Sequence, residues 1–176
     1  MICALALVAV SAALAAPAAA AKKEEPRPIP AELTFNTVEG EPLSFGDLRG
    51  RAVLLDFWAT WCKPCRNATP YLRRLHGRLG GGEHFVLVGV SADDDLEALR
   101  GYLEAEETGW TQVWDSHDVI RGAFGVGGLP TYVIVDHEGR PVRAFTGWSD
   151  RHPLALDAEV GRAVRKAKKA AQRGGS

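Results

Sequence analysis

Two cysteines, Cys62 and Cys65, are separated by only two residues in the sequence Cys62-Lys63-Pro64-Cys65. Residues three apart on one helical turn lie about 5 to 6 Å apart at Cβ, and a disulfide needs about 3.5 to 4.5 Å. A small adjustment of this turn therefore makes or breaks the bond. We predict a redox-active dithiol at this site, and neither a cofactor nor a metal.

The position of the pair predicts which sulfur attacks. The pair directly follows an apolar run at 52–58, and a helical pattern follows it. With Cys62 as the N-cap of that helix, Pro64 falls in the first turn, where its missing N–H has no intrahelical partner anyway. The positive helix end and the adjacent Lys63 favour a thiolate at Cys62. We predict that Cys62 attacks and that a buried Cys65 resolves the mixed disulfide.

Two other interpretations of the cysteine pair stay open at this point: a static structural disulfide and half of a zinc site. A zinc site needs two further ligands, and the histidines of this chain do not show the spacing of zinc motifs. We expect all five histidines to be solvated surface residues: His76, His84, His117, His137 and His152.

Apolar strands and amphipathic helices alternate along the chain. The runs at 52–58 and 85–90 are apolar on both faces, which is typical of strands in a sheet covered on both sides by helices. The helical pattern at 66–79 between them, ended by three glycines, predicts a parallel crossover. Further predicted elements are a hairpin within 33–45, helices at 94–107 and 118–124, a short strand at 113–114, antiparallel strands at 131–135 and 142–145, and a closing helix at 154–172.

Composition limits the class of protein. A chain of 176 residues is long enough for one domain of ordinary size. A formal net charge of -1 gives no sign of nucleic acid binding. Three cysteines are too few for a disulfide-stapled miniprotein. The expected fold class is a single α/β domain with a mixed sheet.

The first 21 residues predict export. They contain no charge, eleven of them are alanine, and Ala19 and Ala21 fit a signal peptidase site. The start lacks the usual Lys or Arg, so an uncleaved membrane anchor is the alternative. We expect a signal peptide or anchor at 1–21, a charged and proline-rich linker at 22–30, and the folded domain at 31–173. The expected location is the periplasm or the exterior of a bacterium.

The segment DFWATWCKPC, residues 56–65, resembles the active-site strand and loop of thioredoxins, and Pro70 matches the proline in their active-site helix. The segment GGLPT, residues 127–131, resembles the cis-proline loop of the same family, with Leu129 before Pro130. The resemblance implies a cis peptide at Pro130, beside the dithiol. An ordinary trans proline that opens a strand is the alternative.

Residues 40–50, GEPLSFGDLRG, together with the leader and the long segment before Gly127, resemble the exported TlpA/ResA-like branch. The resemblance covers about residues 31–150. It implies a thioredoxin-like fold with a central mixed sheet flanked by helices, an N-terminal hairpin and a β–α insertion. One departure is Ala68, because ResA-like proteins carry a glutamate at this position. ResA specificity is therefore not carried over.

The resemblance also assigns roles. Asp56 matches the buried aspartate that exchanges a proton with the inner cysteine, and its place on a covered strand predicts a raised pKa. The alternative is a paired, catalytically idle aspartate. Trp58 and Trp61 flank the dithiol, and they could equally serve packing or docking. The predicted substrate-binding residues are Trp61, Lys63, Pro64, Leu129 and Pro130.

The leading functional hypothesis is an exported thiol-disulfide oxidoreductase that reduces protein disulfides. The family implies electron supply from a membrane thiol carrier of the DsbD or CcdA kind, and cytochrome c maturation as one client pathway. We expect a monomer. The first alternative is that the same site gives disulfides to client proteins, as an oxidase or isomerase. A copper chaperone of the Sco kind needs three residues between its cysteines, and a peroxiredoxin needs a Pro-x-x-x-Thr-x-x-Cys pattern. This chain has neither.

Overall fold

The computed structural model describes residues 27–106 and 108–175. The strands are β1 (Thr34–Asn36), β2 (Pro42–Ser44), β3 (Ala52–Trp58), β4 (Phe85–Ser91), β5 (Thr111–Trp114), β6 (Thr131–Val135) and β7 (Pro141–Thr146). The helices are α1 (Lys63–Leu79), α2 (Leu96–Glu106), α3 (Val119–Ala123) and α4 (His152–Gly174). None of the helices in these two ranges is both long and apolar enough to cross a membrane.

Five strands form one mixed sheet in the order β5-β4-β3-β6-β7. The central strand β3 pairs parallel with β4 and antiparallel with β6, β4 pairs parallel with β5, and β6 pairs antiparallel with β7. The crossover through α1 is the predicted parallel unit. The mixed α/β fold is confirmed.

The sheet separates two apolar interiors. On one face α1 and α4 pack against β3, β4 and β6 through residues such as Leu72, Leu75 and Val160. On the other face α3 and the segment after β2 pack through Ile120, Phe45 and other apolar residues. Every residue of β3 is buried, as expected for a strand covered on both sides.

The predicted elements are present, with small changes of boundary. Helix α1 begins at Lys63, three residues before the apolar spacing indicates, because Cys62 caps it. The predicted hairpin is a separate two-stranded sheet, joined to the edge strand β5 by a bridge between Thr37 and Val113. Ile29, within the segment expected as a linker, is buried and packs in the domain core.

Candidate active site

Cys62 and Cys65 form a disulfide at the end of β3, with their Cα atoms 5.3 Å apart. Cys62 is the N-cap of α1, and its Sγ accepts a hydrogen bond from the Cys65 backbone N–H at 3.3 Å. Both cysteines are buried, with 5% and 4% of their surfaces exposed. The burial predicted for Cys65 is therefore present, but burial alone does not distinguish the two sulfurs in this oxidised state.

The start of α1 favours negative charge on Cys62. The helix has no acidic residue in its first turn, and Pro64 lies in that turn as predicted. The N–H groups of the first turn carry the positive end of the helix dipole, which stabilises a thiolate relative to a thiol. When the disulfide opens, the hydrogen bond from the Cys65 N–H is available to a Cys62 thiolate.

A groove of about 470 Å³ runs beside the disulfide. Residues on both sides of it are brought together from distant parts of the chain: Trp61, Cys62, Lys63, Pro64, Arg121, Gly127, Gly128 and Leu129. Trp61 is 65% exposed, whereas Trp58 is buried in the same apolar cluster as both cysteines. The two tryptophans thus differ: Trp58 packs inside the protein, and Trp61 presents an apolar surface to solvent beside the groove.

The loop before β6 lies across the groove from the dithiol. The peptide bond between Leu129 and Pro130 is cis, so the predicted isomer is confirmed. Thr131 Oγ1 donates to the carbonyl of Gly128 at 2.7 Å, and Gly147 N–H donates to the carbonyl of Pro130 at 2.8 Å. Leu129 lines the groove, whereas Pro130 is buried and does not. These bonds hold an exposed backbone segment beside Cys62.

Asp56 lies in β3 on the face that α1 covers, and it does not line the groove. Its side chain is buried, and burial raises the pKa of the carboxyl to about 7. Oδ1 has no hydrogen-bond partner among residues 27–106 and 108–175. The predicted direction of the pKa change is confirmed. Such a carboxyl takes up or releases a proton near neutral pH.

Asp93 is a site residue that sequence reasoning missed. Its buried carboxylate accepts hydrogen bonds from Thr60 N at 3.0 Å, Thr60 Oγ1 at 2.6 Å and Ser91 Oγ at 2.7 Å. It therefore ties the loop before Cys62 to the end of β4. Its position was a usable signal, because neighbouring parallel strands end at the same edge of a sheet.

Arg121 is a second residue that the sequence did not indicate. It lines the groove opposite Lys63, and its guanidinium forms an ion pair with Asp118 at 3.1 Å. Asp115 caps the start of α3 by accepting from the backbone N–H groups of Ile120 and Arg121. No local pattern places Arg121 here, since its position depends on how α3 docks against the sheet.

Metal ligands are not assembled at the dithiol. In the part of the chain that the structure describes, no three His, Cys, Asp or Glu side chains are grouped so that they could hold a metal ion. The arrangement is suited to disulfide exchange, with an N-capping cysteine, a second cysteine one turn on, a buried carboxyl and an adjacent open groove.

Comparisons with known proteins agree with this chemistry. The model of the AhpC/TSA family matches residues 26–143. The thiol-disulfide oxidoreductase ResA of Bacillus anthracis is 30% identical over 117 residues, which are 66% of this chain and 67% of that protein. ResA of Bacillus subtilis is 30% identical over 110 residues, which are 61% and 60% of the two chains.

Solved structures show the same fold. A putative thiol:disulfide interchange protein DsbE from Chlorobium tepidum has a TM-score of 0.73 at 24% identity, over 80% of this chain and 98% of that one. The thioredoxin domain of a thiol-disulfide oxidoreductase from Bacteroides vulgatus has a TM-score of 0.65 at 28% identity, over 79% and 99%. The chain therefore belongs to the AhpC/TSA family and is a ResA-like thiol-disulfide oxidoreductase of thioredoxin fold, with a Cys-x-x-Cys pair at Cys62 and Cys65.

Proposed function

We propose that this protein reduces disulfides of exported proteins. The Cys62 thiolate attacks one sulfur of a substrate disulfide and releases the other as a thiolate. Cys65 then attacks Cys62 Sγ, releases the second substrate sulfur and closes the enzyme disulfide. Two electrons pass from the enzyme dithiol to the substrate. The observation that carries the proposal is Cys62 at the N-cap of α1, where its Sγ accepts from the Cys65 N–H.

In this scheme Asp56 accepts the proton of the Cys65 thiol. The Cys65 thiol must lose its proton before it attacks, and a carboxyl with a pKa of about 7 accepts one near neutral pH. The buried carboxyl lies on the face of the sheet that α1 packs against, as does Trp58, which belongs to the same buried cluster as both cysteines. A negative charge here opposes stabilisation of thiolates, which favours the oxidised enzyme and hence reduction of the substrate.

The groove binds the substrate chain. Trp61, Lys63, Pro64 and Leu129 supply its walls. The cis peptide at Pro130 shapes the backbone segment that faces an extended polypeptide. A client that presents a disulfide in an extended segment fits this surface. Cytochrome c maturation is the proposed client pathway.

The chain has three parts in this proposal. Residues 1–21 act as a signal peptide or an anchor, and 22–30 join them to the domain, with Ile29 already packed in its core. Residues 31–173 carry the activity as a monomer. Residues 1–21 and most of 22–30 lie outside the described residues. In an oxidising compartment the enzyme disulfide must be reduced again, for which we propose a membrane thiol carrier of the DsbD or CcdA kind.

The reduction potential tests the direction of transfer. The full chain is equilibrated in glutathione or dithiothreitol buffers, and tryptophan fluorescence reports the state of the disulfide, because Trp58 packs against it. A value near that of thioredoxin, about -270 mV, supports a reductant. A value near that of DsbA, about -120 mV, overturns the proposed direction in favour of an oxidase or isomerase.

Two cysteine variants test which cysteine attacks the substrate and which resolves the mixed disulfide. Cys62→Ser is expected to abolish reduction of a model protein disulfide. Cys65→Ser is expected to trap a mixed disulfide through Cys62, which mass spectrometry detects. Trapping through Cys65 in the Cys62→Ser variant instead would reverse the assigned roles.

A further inference from the structure

A row of four residues crosses the sheet on the face that α1 and α4 cover. The register pairs Tyr132 of β6 with Asp56 of β3, Asp56 with Gly89 of β4, and Gly89 with Gln112 of β5. Paired residues on neighbouring strands point to the same face. Tyr132, Asp56 and Gln112 are all buried, with 0%, 5% and 3% of their surfaces exposed. The row therefore places three polar side chains inside the protein, around a glycine.

The side chain of Gln112 occupies the space over Gly89. A methyl group on Gly89 would overlap Gln112 Oε1 and would lie 2.7 Å from Cδ and 2.9 Å from Nε2. The amide thus crosses β4 and reaches β3, where Oε1 accepts a hydrogen bond from Trp58 Nε1 at 3.0 Å. Trp58 and Asp56 are two residues apart on β3 and share this face. The Gln112 amide therefore lies over Gly89, the position of β4 that pairs with Asp56.

The orientation of the amide is determined by its partner. An indole N–H can only donate, so the oxygen of the amide must face Trp58 and the nitrogen must face away from it. Among the described residues, Gln112 Nε2 and Asp56 Oδ1 are both buried without a hydrogen-bond partner. A donor is thus left over Gly89 of β4 and an acceptor on β3, the neighbouring strand, about 4.8 Å away. One water molecule bridges such a distance.

We propose that Gln112 is a positioning residue for the exchange reaction, whose Nε2 donates through one bridging water to the Asp56 carboxylate and so lowers the pH at which Asp56 releases its proton. The inference rests on the proposed role of Asp56 as the proton acceptor. A donor that faces the carboxylate stabilises its charged form and opposes the effect of burial. Gly89 is required because any larger residue would occupy the place of the amide.

Other titratable groups face this region. Burial and the charge of Asp56 raise the pKa of Tyr132, so its hydroxyl stays neutral at physiological pH. Tyr71 of α1 donates to the carbonyl of Pro153 and to Asp157 of α4. Other ionisable groups on the surrounding elements include Tyr102 of α2, which packs on Trp58, and His76 of α1, which packs on Trp110. Asp93, after β4, accepts from Thr60 and Ser91, and the two cysteines are joined in the disulfide.

The test measures the titration of Asp56 directly, in the full-length oxidised protein with ¹³C-labelled aspartate carboxyls. In Gln112→Leu the midpoint of Asp56 is expected to rise by about one pH unit, the size expected for loss of one hydrogen bond to a charged group. Gly89→Ala keeps the glutamine but displaces its amide, and should raise the midpoint in the same direction. Val113→Ala is the matched control, since it alters the same strand on the opposite face and should leave the midpoint unchanged.

A measurement on the unaltered protein needs no variant to fold. The side-chain ¹H–¹⁵N resonances of Gln112 are expected to shift with pH at the same midpoint as the Asp56 carboxyl. Resonances that do not follow Asp56, or an unchanged midpoint in folded Gln112→Leu, overturn the inference. The role of Asp56 is judged separately, because Asp56→Asn should slow disulfide exchange whether or not Gln112 assists. A normal exchange rate in Asp56→Asn would show that Asp56 is not the proton acceptor. The NMR titration would then still decide whether Gln112 lowers the pKa of Asp56.

Discussion

Residues that alternate along the same strands face two interiors of different chemistry. The face toward α3 is apolar, and Thr131 is the one buried polar strand residue on it among residues 27–106 and 108–175. Its hydroxyl donates to the carbonyl of Gly128. The face toward α1 and α4 holds Asp56, Gln112 and Tyr132, each with a buried polar atom that lacks a partner among the described residues. Such groups cost about 1 to 3 kcal/mol each unless water bonds to them. Both faces bury apolar side chains and stabilise the fold, but the face toward α1 and α4 gives up part of this stability to its buried polar groups.

The largest expected effect concerns the apolar face. Phe57 is fully buried and packs 5.6 Å from the ring of Phe124. Phe57→Ala should lower the free energy of unfolding by about 3 to 5 kcal/mol, because it leaves a cavity. Urea denaturation measures this loss. The disulfide exchange rate of the folded fraction at low temperature should stay near that of the parent protein, and a large fall in that rate would show that this face also serves the chemistry.

On the face toward α1 and α4, Asp56 should make the free energy of unfolding depend on pH, by an amount of similar size. The folded pKa of Asp56, about 7, lies above its ordinary value of 3.8. The folded state therefore holds a proton that the unfolded state has lost, and the stability from this group is full below pH 3.8 and falls as pH rises toward 7. The gap of roughly three pH units corresponds to about 4 kcal/mol.

Asp56→Asn isolates that effect, because asparagine has the same shape and does not titrate. Between pH 4 and 8 the parent protein should lose about 4 kcal/mol more unfolding free energy than this variant. Denaturation curves at several pH values, with both proteins oxidised, measure the difference. Parallel stability curves for the two proteins would contradict the raised pKa and with it the contrast between the faces.

A smaller effect on the unfolding free energy is expected at Asp93, which holds the loop before Cys62. Asp93→Ala removes the acceptor of the Thr60 N–H and hydroxyl. The unfolding free energy should fall by about 1 to 3 kcal/mol, since buried donors are left unpaired. Glu104→Ala, on the exposed side of α2, is a control that should change stability by less than about 0.5 kcal/mol. Equal effects of the two substitutions would show that the loop needs no anchor.

The smallest effect on stability is expected at the exposed rim. Trp61 is 65% exposed, so Trp61→Ala should change the unfolding free energy by less than about 0.5 kcal/mol. The KM for a protein disulfide should rise, because the groove loses its apolar wall. Steady-state kinetics with a protein substrate and with a small disulfide separate the two effects. An unchanged KM for both would remove Trp61 from the binding surface.

Much of the fold could be predicted because its signals are local. Strand β3 reads as buried on both faces, the glycines after 79 end α1, and Cys62 with Pro64 marks its start. Gln112 and Arg121 could not be assigned roles in the same way. Each acts on residues far away in the chain, and their contacts depend on strand register and on how α3 docks.

The sequence by itself determined the α/β pattern, the capped dithiol and the burial of Asp56, because each depends on neighbours within a few residues. Only the tertiary structure decided that Trp58 packs while Trp61 is exposed, that Arg121 joins the groove, and that Gly89 makes room for Gln112 beside Asp56. The physical reason is that a strand's register aligns positions such as 56, 89 and 112 across the sheet. No local pattern of residues carries that alignment.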